Sequence, residues 1–392
     1  MNKNIARYTY RLSKLHEVEN FRTLKDVEAV GSNIIYNDKE MINLSSNDYL
    51  GLGFDKAIVD EFHKYISANE LDVYYTSASS RLLTGNHKNY ASLEKNIADT
   101  FEREAALVFN SGYHANTGIL PALAGKNDLI IADKFVHASI IDGINLSKAE
   151  MIRFRHMDYA QLQDILSKRR DDYENVFIVS ESIFSMDGDV ADMQMLIDIK
   201  NEYDAFLYID EAHAIGVRGV NGLGCCEEQV CIDDVDFIVG TFGKALASMG
   251  AYCVCDQVFK DYLINNMRTL IFTTALPPVN VAWTEFIFDK LPELQEKRMH
   301  LEEISNRLRE AIDEMGYKTF GDSHIVPLIT GSNESSVELS EYLQDNNFFA
   351  LPVRQPTVPA GSARIRFSLN ANIEDWQMDQ LIEILRNYKE GI

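Results

Sequence analysis

The chain has 392 residues, enough for two or three domains at about 150 residues each. Hydrophobic residues make up 46% and charged residues 25%, an ordinary globular mixture that excludes a disordered chain. Acidic residues number 60 and basic residues 37, for a net charge of −23, which excludes a general nucleic-acid binder because phosphate backbones require a basic footprint.

Residues 1–45 read as a helical arm followed by a short strand pair. The first 25 residues hold six basic side chains (Lys3, Arg7, Arg11, Lys14, Arg22, Lys25) against Glu17 and Glu19, so the arm carries +4 and the remainder −27. No signal-like apolar stretch follows Met1, and no apolar run reaches the ~18 residues of a membrane span, so a cytoplasmic protein without a membrane partner is expected. Tyr90, Leu93, Ile97 and Phe101 fall at helical spacing. The middle of the chain alternates short β-rich runs (Val176–Ser180, Phe206–Asp210, Phe237–Gly240, Ala251–Cys255) with helical stretches such as 190–203. That alternation predicts an α/β fold with a mostly parallel sheet covered on both faces. After Pro277-Pro278 the texture changes to helices over 279–316 broken near Pro292, a strand at Ile325–Ile329, a helix near 335–346, a strand at Ala363–Leu369 and a last helix near 374–389. The expected domains are an arm (1–45), a large domain (46–280) and a smaller α+β domain (281–392). No repeat or low-complexity segment interrupts them.

The cysteines are Cys225, Cys226, Cys231, Cys253 and Cys255. An odd count without a Cys-x2-Cys spacing suggests reduced thiols and no metal, and the alternation of Cys253 and Cys255 suits buried small apolar residues.

Several strand ends carry chemistry. Val239-Gly-Thr-Phe-Gly-Lys244 puts a lysine at the carboxyl end of a strand, where open α/β sheets bind ligands. Alone it reads as a surface lysine. Phe206-Leu-Tyr-Ile-Asp-Glu-Ala-His213 ends another apolar strand in Asp210, which alone could be a helix N-cap. Taken together, Asp210 and Lys244, 34 residues apart on successive strands, meet a specific demand. A pyridoxal phosphate site needs a lysine for the Schiff base and an acid that keeps the pyridine nitrogen protonated. His213 then reaches the region of the ring's 3-oxygen.

Phe109-Asn-Ser-Gly-Tyr-His-Ala-Asn116, with Ser111, Gly112 and Tyr113, reads as a strand-to-helix turn whose backbone N–H groups cradle a phosphate, and Thr241 offers a hydroxyl to the same group. Phe184-Ser-Met-Asp-Gly-Asp189 is a turn by composition, but Ser185 at a strand end can bond the cofactor's phenolic oxygen. His137 reads either as a cap or core residue or as a flat ring stacked on the pyridine. Arg364 and Arg366 share one strand face, as surface arginines or as a fork for an amino-acid carboxylate. A rival reading takes Gly216-Val-Arg-Gly-Val-Asn-Gly-Leu-Gly224 as a nicotinamide dinucleotide loop, although the run does not form a tight strand-to-helix turn. Another rival is a catalytically inert binding protein of the same fold. Both predict a colourless protein.

In order, Ser45-Ser-Asn-Asp-Tyr-Leu-Gly-Leu52, Arg81-Leu-Leu-Thr-Gly-Asn-His87, Asn110-Ser-Gly-Tyr113, His137-Ala-Ser, Phe184-Ser-Met-Asp-Gly-Asp, Asp210-Glu-Ala-His213, Thr241-Phe-Gly-Lys244 and Thr273-Thr-Ala-Leu-Pro-Pro278 resemble the motifs of the α-oxoamine synthases, from about residue 40 to the end. The resemblance implies a fold-type I pyridoxal-phosphate transferase that joins an amino acid to an acyl thioester with loss of CO2. It implies Lys244 as the lysine that carries the cofactor and moves the α-proton, Asp210 on the ring nitrogen, His137 stacked on the ring, and Ser185 and His213 at the phenolic oxygen. Ser111, Gly112, Tyr113 and Thr241 fall at the phosphate, with Thr274 from the partner subunit of a homodimer. Asn47 and Arg366 hold the amino acid's carboxylate. Arg22 contacts substrate, and Thr357 lines the acyl-chain side.

Within that family, Arg354-Gln-Pro-Thr-Val-Pro-Ala-Gly-Ser-Ala-Arg364-Ile-Arg366, with Ala360 where glycine-using members carry a charge, favours L-alanine plus a pimeloyl thioester, the donor being a CoA ester or an acyl carrier protein, in biotin synthesis. The alternatives are glycine with acetyl-CoA and serine with palmitoyl-CoA. One departure stands out: Thr76-Ser-Ala-Ser-Ser80 replaces a stretch that many relatives make glycine-rich, so the loop loses glycine's freedom of φ.

Overall fold

The structure, a computed structural model, describes residues 3–17, 21–69, 71 and 73–391. Glu19, counted in the charge of the arm, lies outside them. The chain forms two compact units, one of Asn47–Ser185 and Asp189–Leu301, the other of Met1–Ser46, Met186–Gly188 and Glu302–Ile392.

The large unit is built on a seven-stranded sheet. Its strands in chain order are β1 (Ala105–Phe109), β2 (Leu129–Asp133), β3 (Glu150–Phe154), β4 (Val176–Glu181), β5 (Phe206–Asp210), β6 (Phe237–Thr241) and β7 (Ala251–Cys255). They lie in the order β1-β7-β6-β5-β4-β2-β3. β7 runs antiparallel to β1 and β6, and every other pair is parallel. All residues of β1, β2, β4, β6 and β7 are buried, which is why they read as unbroken apolar runs rather than alternating ones. Each buried Ile or Val there contributes about 1.5–3 kcal/mol. β3, at the sheet's edge, exposes Glu150 and Arg153, charges that discourage pairing with another strand. Gly240 is required by close approach: a Cβ there would lie 2.4 Å from ring carbons of the buried Tyr252, its register partner on β7.

Parallel strands bring their carboxyl ends to one edge. Phe109, Asp133, Glu181, Asp210 and Thr241 end β1, β2, β4, β5 and β6 there, and the loops carrying Ser111, His137, Ser185, His213 and Lys244 start from them. Ser111 caps helix Gly112–Leu123 by accepting the His114 N–H. That helix meets helix Ala138–Leu146 at backbone distance, because a Cβ on Gly143 would fall 2.1 Å from the Asn116 carbonyl oxygen.

The large unit extends beyond the boundary near residue 280 read from the sequence. Helix Pro278–Lys290 is tied to helix Lys88–Thr100 by hydrogen bonds from Ser92 to Glu285 and from Asn96 to Asp289, both at 2.5 Å. The division falls instead inside the long helix Gln295–Glu314. The short strands of the arm belong with the C-terminal residues: Lys39–Asn43 pairs in parallel with Phe348–Phe349, over a cluster of Ile34, Met41 and Phe349. The small unit also contains an antiparallel sheet in the order Ile325–Gly331, Ala363–Ser368, Pro352–Val353, with helices Asn333–Asp345 and Asp375–Glu390.

The Gly216–Gly224 run is a loop of left-handed glycines leading to a four-residue helix, Cys225–Glu228. It does not make the strand-turn-helix of a dinucleotide site. Its anchor is Glu211, whose buried carboxylate accepts the N–H groups of Cys225 and Cys226 and the Ser182 hydroxyl. All five cysteines are buried and unbridged. Among the described residues no helix is long and apolar enough to cross a membrane, and no group of three His, Cys, Asp or Glu side chains could hold a metal ion.

The Ser-rich departure has a local consequence. Ala78 sits at φ +49, so the loop keeps a glycine-type backbone without a glycine. Ser77 Oγ donates to the Leu276 carbonyl at 2.6 Å and Thr76 Oγ1 accepts the Ala78 N–H at 3.0 Å, holding it there. Ala78→Gly is expected to raise stability by about 1 kcal/mol, read as a higher denaturation midpoint at unchanged m-value.

Candidate active site

The strand ends and their loops enclose a cavity of about 220 Å³ in the large unit. Lining it are Asn47, Gly112, Tyr113, His137, Asp210, His213, Thr241 and Lys244, eight of the residues singled out from the sequence. Asn116, Ser139, Glu181, Ala212 and Gly243 line it too.

Asp210 is 5% exposed at the tip of β5. Its Oδ1 accepts the Ala212 N–H at 2.9 Å and its Oδ2 accepts from Asn116 Nδ2 at 2.8 Å. Asn116 is oriented in turn by Tyr208, whose hydroxyl donates to its Oδ1 at 2.5 Å. Among the described residues, the carboxylate is held by two hydrogen bonds and no ion pair. Asn116 has no signal in the sequence beyond its place in a helix after a Ser-Gly turn. It lies beside Asp210 because that helix crosses the sheet.

Lys244 Nζ stands 3.0 Å from His213 Nε2, and His213 Nδ1 stands 2.7 Å from the Tyr49 hydroxyl. Tyr49 donates to Asn47 Oδ1 at 3.0 Å. An ammonium only donates, so His213 Nε2 accepts and Nδ1–H donates, giving a directed chain Lys244–His213–Tyr49–Asn47. Tyr49 is fully buried and meets His213 from 164 positions away along the chain.

His137 caps helix Ala138–Leu146 through Nδ1, which also faces Ser139 Oγ at 2.7 Å. It is thus both a cap and part of the cavity wall. Partial desolvation of its ring lowers its pKa, Asp210 opposing and Lys244 adding to the fall, so the ring is neutral near pH 7. Its main-chain N–H donates to Glu181. Glu181 is 2% exposed and register partner to Asp210; burial, then the Asp210 charge, push its carboxyl far up. Glu181 ends an apolar strand in the sequence just as Asp210 does, and no neighbouring motif singles it out.

Ser111, Ser185 and Thr274 do not line the cavity. Ser111 is spent on the helix cap, Ser185 is half-buried in the turn after β4, and Thr274 is exposed, its carbonyl accepting Asn110 Nδ2 at 2.6 Å.

The small unit holds the remaining candidates. Arg22 Nη2 donates to Thr357 Oγ1 at 3.1 Å, on the wall of a cavity of about 690 Å³ that Lys25, Tyr36 and Arg354 also line. Arg366 donates to Ser368 Oγ at 2.6 Å and lies outside that wall. Arg364 is neither a surface arginine nor half of an open fork: it is 4% exposed and paired with Asp187.

The donor set of the large-unit cavity fits pyridoxal phosphate. An amine and a buried, acceptor-only carboxylate share one wall system with a neutral imidazole. The N–H groups of Gly112 and Tyr113, first in a twelve-residue helix, have no intrahelical acceptor and can take a phosphate.

Residues 39–385 match the family described as aminotransferase class I and II. The chain belongs to that family, with the fold-type I architecture, in its α-oxoamine synthase branch. A "putative 8-amino-7-oxononanoate synthase" of Glaesserella parasuis serovar 5 is 51% identical over 387 residues, 98% of this chain and 100% of the relative. The 8-amino-7-oxononanoate synthase of Haemophilus ducreyi is 50% identical over 384 residues, 96% and 99% of the two chains. Among solved structures, a variant of the serine palmitoyltransferase of S. paucimobilis with a bound PLP–myriocin aldimine superimposes with a TM-score of 0.88 at 27% identity, over 98% of each chain.

Proposed function

We propose that the chain condenses L-alanine with a pimeloyl thioester to give 8-amino-7-oxononanoate, CO2 and a free thiol, using pyridoxal phosphate. The observation that carries this is the convergence of Lys244, Asp210 and a helix N-terminus on one cavity, in a chain about half identical along its length to relatives bearing that name. The serine palmitoyltransferase reading rests on a similarity of 27% and is weaker.

When bound, the cofactor supplies an electron sink for negative charge at the amino acid's α-carbon. Lys244 carries it and moves the proton at that carbon, with His213 Nε2 within reach of the Lys244 proton. Asp210 holds the proton of the ring nitrogen, and Gly112, Tyr113 and Thr241 take the phosphate; Ser185, outside the cavity wall in the turn after β4, would reach the phenolic oxygen from that turn. The neutral ring of His137 flanks the cofactor face. Asn47 and Arg366 orient the alanine carboxylate, which decides which bond at the α-carbon stands toward Lys244.

The test is thiol release from purified enzyme given alanine, glycine or serine with pimeloyl-, acetyl- or palmitoyl-CoA. Release only with alanine and pimeloyl-CoA is expected; release only with glycine and acetyl-CoA would sink the proposal.

The acyl donor, whether a CoA ester or an acyl carrier protein, is anionic, and the chain outside its first 25 residues repels it. The small-unit cavity with Arg22, Lys25 and Arg354 is the local exception. Arg22→Ala is expected to raise KM for the pimeloyl thioester about tenfold and leave the alanine KM alone. Reversing Lys3, Arg7, Arg11 and Lys14 should raise it less and in a salt-dependent way.

We also propose a cytoplasmic homodimer. Residues 74–79 and 275–279 lie side by side through Val279–Tyr74 and Ala275–Ser79 hydrogen bonds, and Tyr74, Tyr75, Leu83 and Phe272 are exposed around Thr274. A second copy would cover these apolar side chains, and light scattering would count the subunits.

A further inference from the structure

His156 follows the edge strand β3 and takes no part in the cavity. Its Nδ1 lies 3.0 Å from Asp133 Oδ1 and its Nε2 lies 3.1 Å from Asp189 Oδ2. The ring stacks on Phe135 at 4.6 Å and meets Phe184 edge-on at 4.4 Å. Both nitrogens face carboxylate oxygens, which only accept. A neutral imidazole has one N–H, so this geometry calls for the imidazolium.

The two carboxylates belong to different loops of the carboxyl edge. Asp133 ends β2, four residues before His137, and also accepts the N–H groups of Phe135 at 2.7 Å and Met157 at 2.8 Å. Asp189 closes the turn that carries Ser185: its carbonyl accepts the Phe184 N–H at 3.0 Å, and Ile183 and Val190 bridge just outside it.

We propose that His156 is a positioning residue whose imidazolium, clamped between Asp133 and Asp189, fixes the spacing of the His137 loop against the Ser185 turn. The inference rests on the reading of His137 and Ser185 as cofactor-facing. The charged groups against the ring are Asp133 and Asp189; Tyr159, on the helix that follows, is pushed up to about 12, chiefly by burial, and stays neutral. Burial works against charge on His156, but its hydrogen bonds to the two aspartates outweigh it and raise the ring to about 9. That lies above the ordinary 6.5, so the clamp stabilises fully below about pH 6.5 and loses its effect as pH rises through about 9.

The experiment follows the His156 ring by nitrogen-detected NMR, with the visible absorption of the bound cofactor recorded in parallel. In the holoenzyme both ring nitrogens are expected to be protonated at pH 7.5 and to titrate near 9. His156→Gln is expected to lower kcat about tenfold, shift the cofactor's absorption band, abolish an alkaline limb near pH 9, and change the alanine KM less than twofold. The difference in melting temperature between the two proteins should shrink as pH rises through 9. Asp189→Asn, which keeps the turn and removes one charge, should lower the ring pKa by about one unit and move the alkaline limb with it, and it serves where His156→Gln fails to fold. A ring that titrates near 6.5, or a His156→Gln enzyme with wild-type spectrum and pH profile, overturns the clamp. Ser185→Ala separates the failures: if it alters the spectrum while His156→Gln does not, the clamp alone is wrong, and if neither does, the placement of Ser185 at the cofactor is wrong.

Discussion

Replacing Lys244 by alanine is expected to reduce thiol release from pimeloyl-CoA by about a thousandfold or more and to leave the purified protein without the visible absorption of a lysine-linked cofactor. The size follows from the two tasks proposed for this amine, attachment and proton transfer, the second alone being worth about 10²–10⁴. Its backbone is held by neighbours that the substitution does not touch. The Ala247 N–H donates to the Lys244 carbonyl at 2.9 Å, the Ser248 N–H to the Phe242 carbonyl at 2.9 Å, and the Phe242 N–H to the Gly250 carbonyl at 3.0 Å. The turn should therefore survive, with stability changed by about 0.5 kcal/mol or less. The Lys244 charge also holds down the pKa of both His137 and Glu181, so both should rise in the variant. Near-wild-type turnover would overturn the assignment of this lysine, and a calorimetric midpoint close to wild type separates lost chemistry from lost fold.

The residues legible in the sequence are those that terminate apolar strands. Asp210, Thr241 and Lys244 stand out because a parallel strand buried on both faces has no polar residue until it emerges, so the first carboxylate, hydroxyl or amine after the run marks the carboxyl edge. The same logic finds the Ser111–Gly112 turn after β1. Asn116 and Tyr49 escape it for distinct reasons, and Glu181 meets it without showing its role. Asn116 matters because its helix crosses to β5, a strand separated from β1 by β7 and β6. Tyr49 reaches His213 across 164 positions of chain. Glu181 looks like Asp210, a carboxylate ending a strand, but stands in register with it. Two adjacent buried carboxylates cannot both ionise cheaply, and that penalty exists only once β4 and β5 are paired.

Arg364 was ambiguous for a similar reason. Strand alternation puts it on one face with Arg366, but only the fold supplies Asp187, which uses up the guanidinium. The domain boundary also escaped periodicity, because Pro277-Pro278 begins a helix rather than a linker, and a proline at a helix's first position is compatible with continued packing on the large unit.

Asp210→Asn is expected to cut kcat by about a hundredfold or more while the protein stays folded. The substitution preserves shape but changes hydrogen-bonding capacity. Asp210 accepts from both Ala212 and Asn116, and Asn116, while Tyr208 donates to its oxygen, presents its amide N–H to position 210. An asparagine at 210 can keep one acceptor; its amide nitrogen then opposes a donor, at a cost of about 1–3 kcal/mol. The larger loss is chemical. A neutral amide cannot hold a proton on a ring nitrogen, so the pull on the α-carbon weakens although every contact to alanine remains, and the fall should appear in kcat rather than in the alanine KM. Two neighbours report the missing charge independently of turnover. The Asp210 charge raises His137 against the effect of burial, so His137 should titrate lower in the variant; it also pushes Glu181 up, so Glu181 should come down. Asp210→Glu restores the charge on a longer arm and should recover part of the rate. Unchanged kcat in Asp210→Asn, with His137 titrating as in the wild type, would show that this carboxylate only caps its turn, the role an aspartate at the end of a strand has by default.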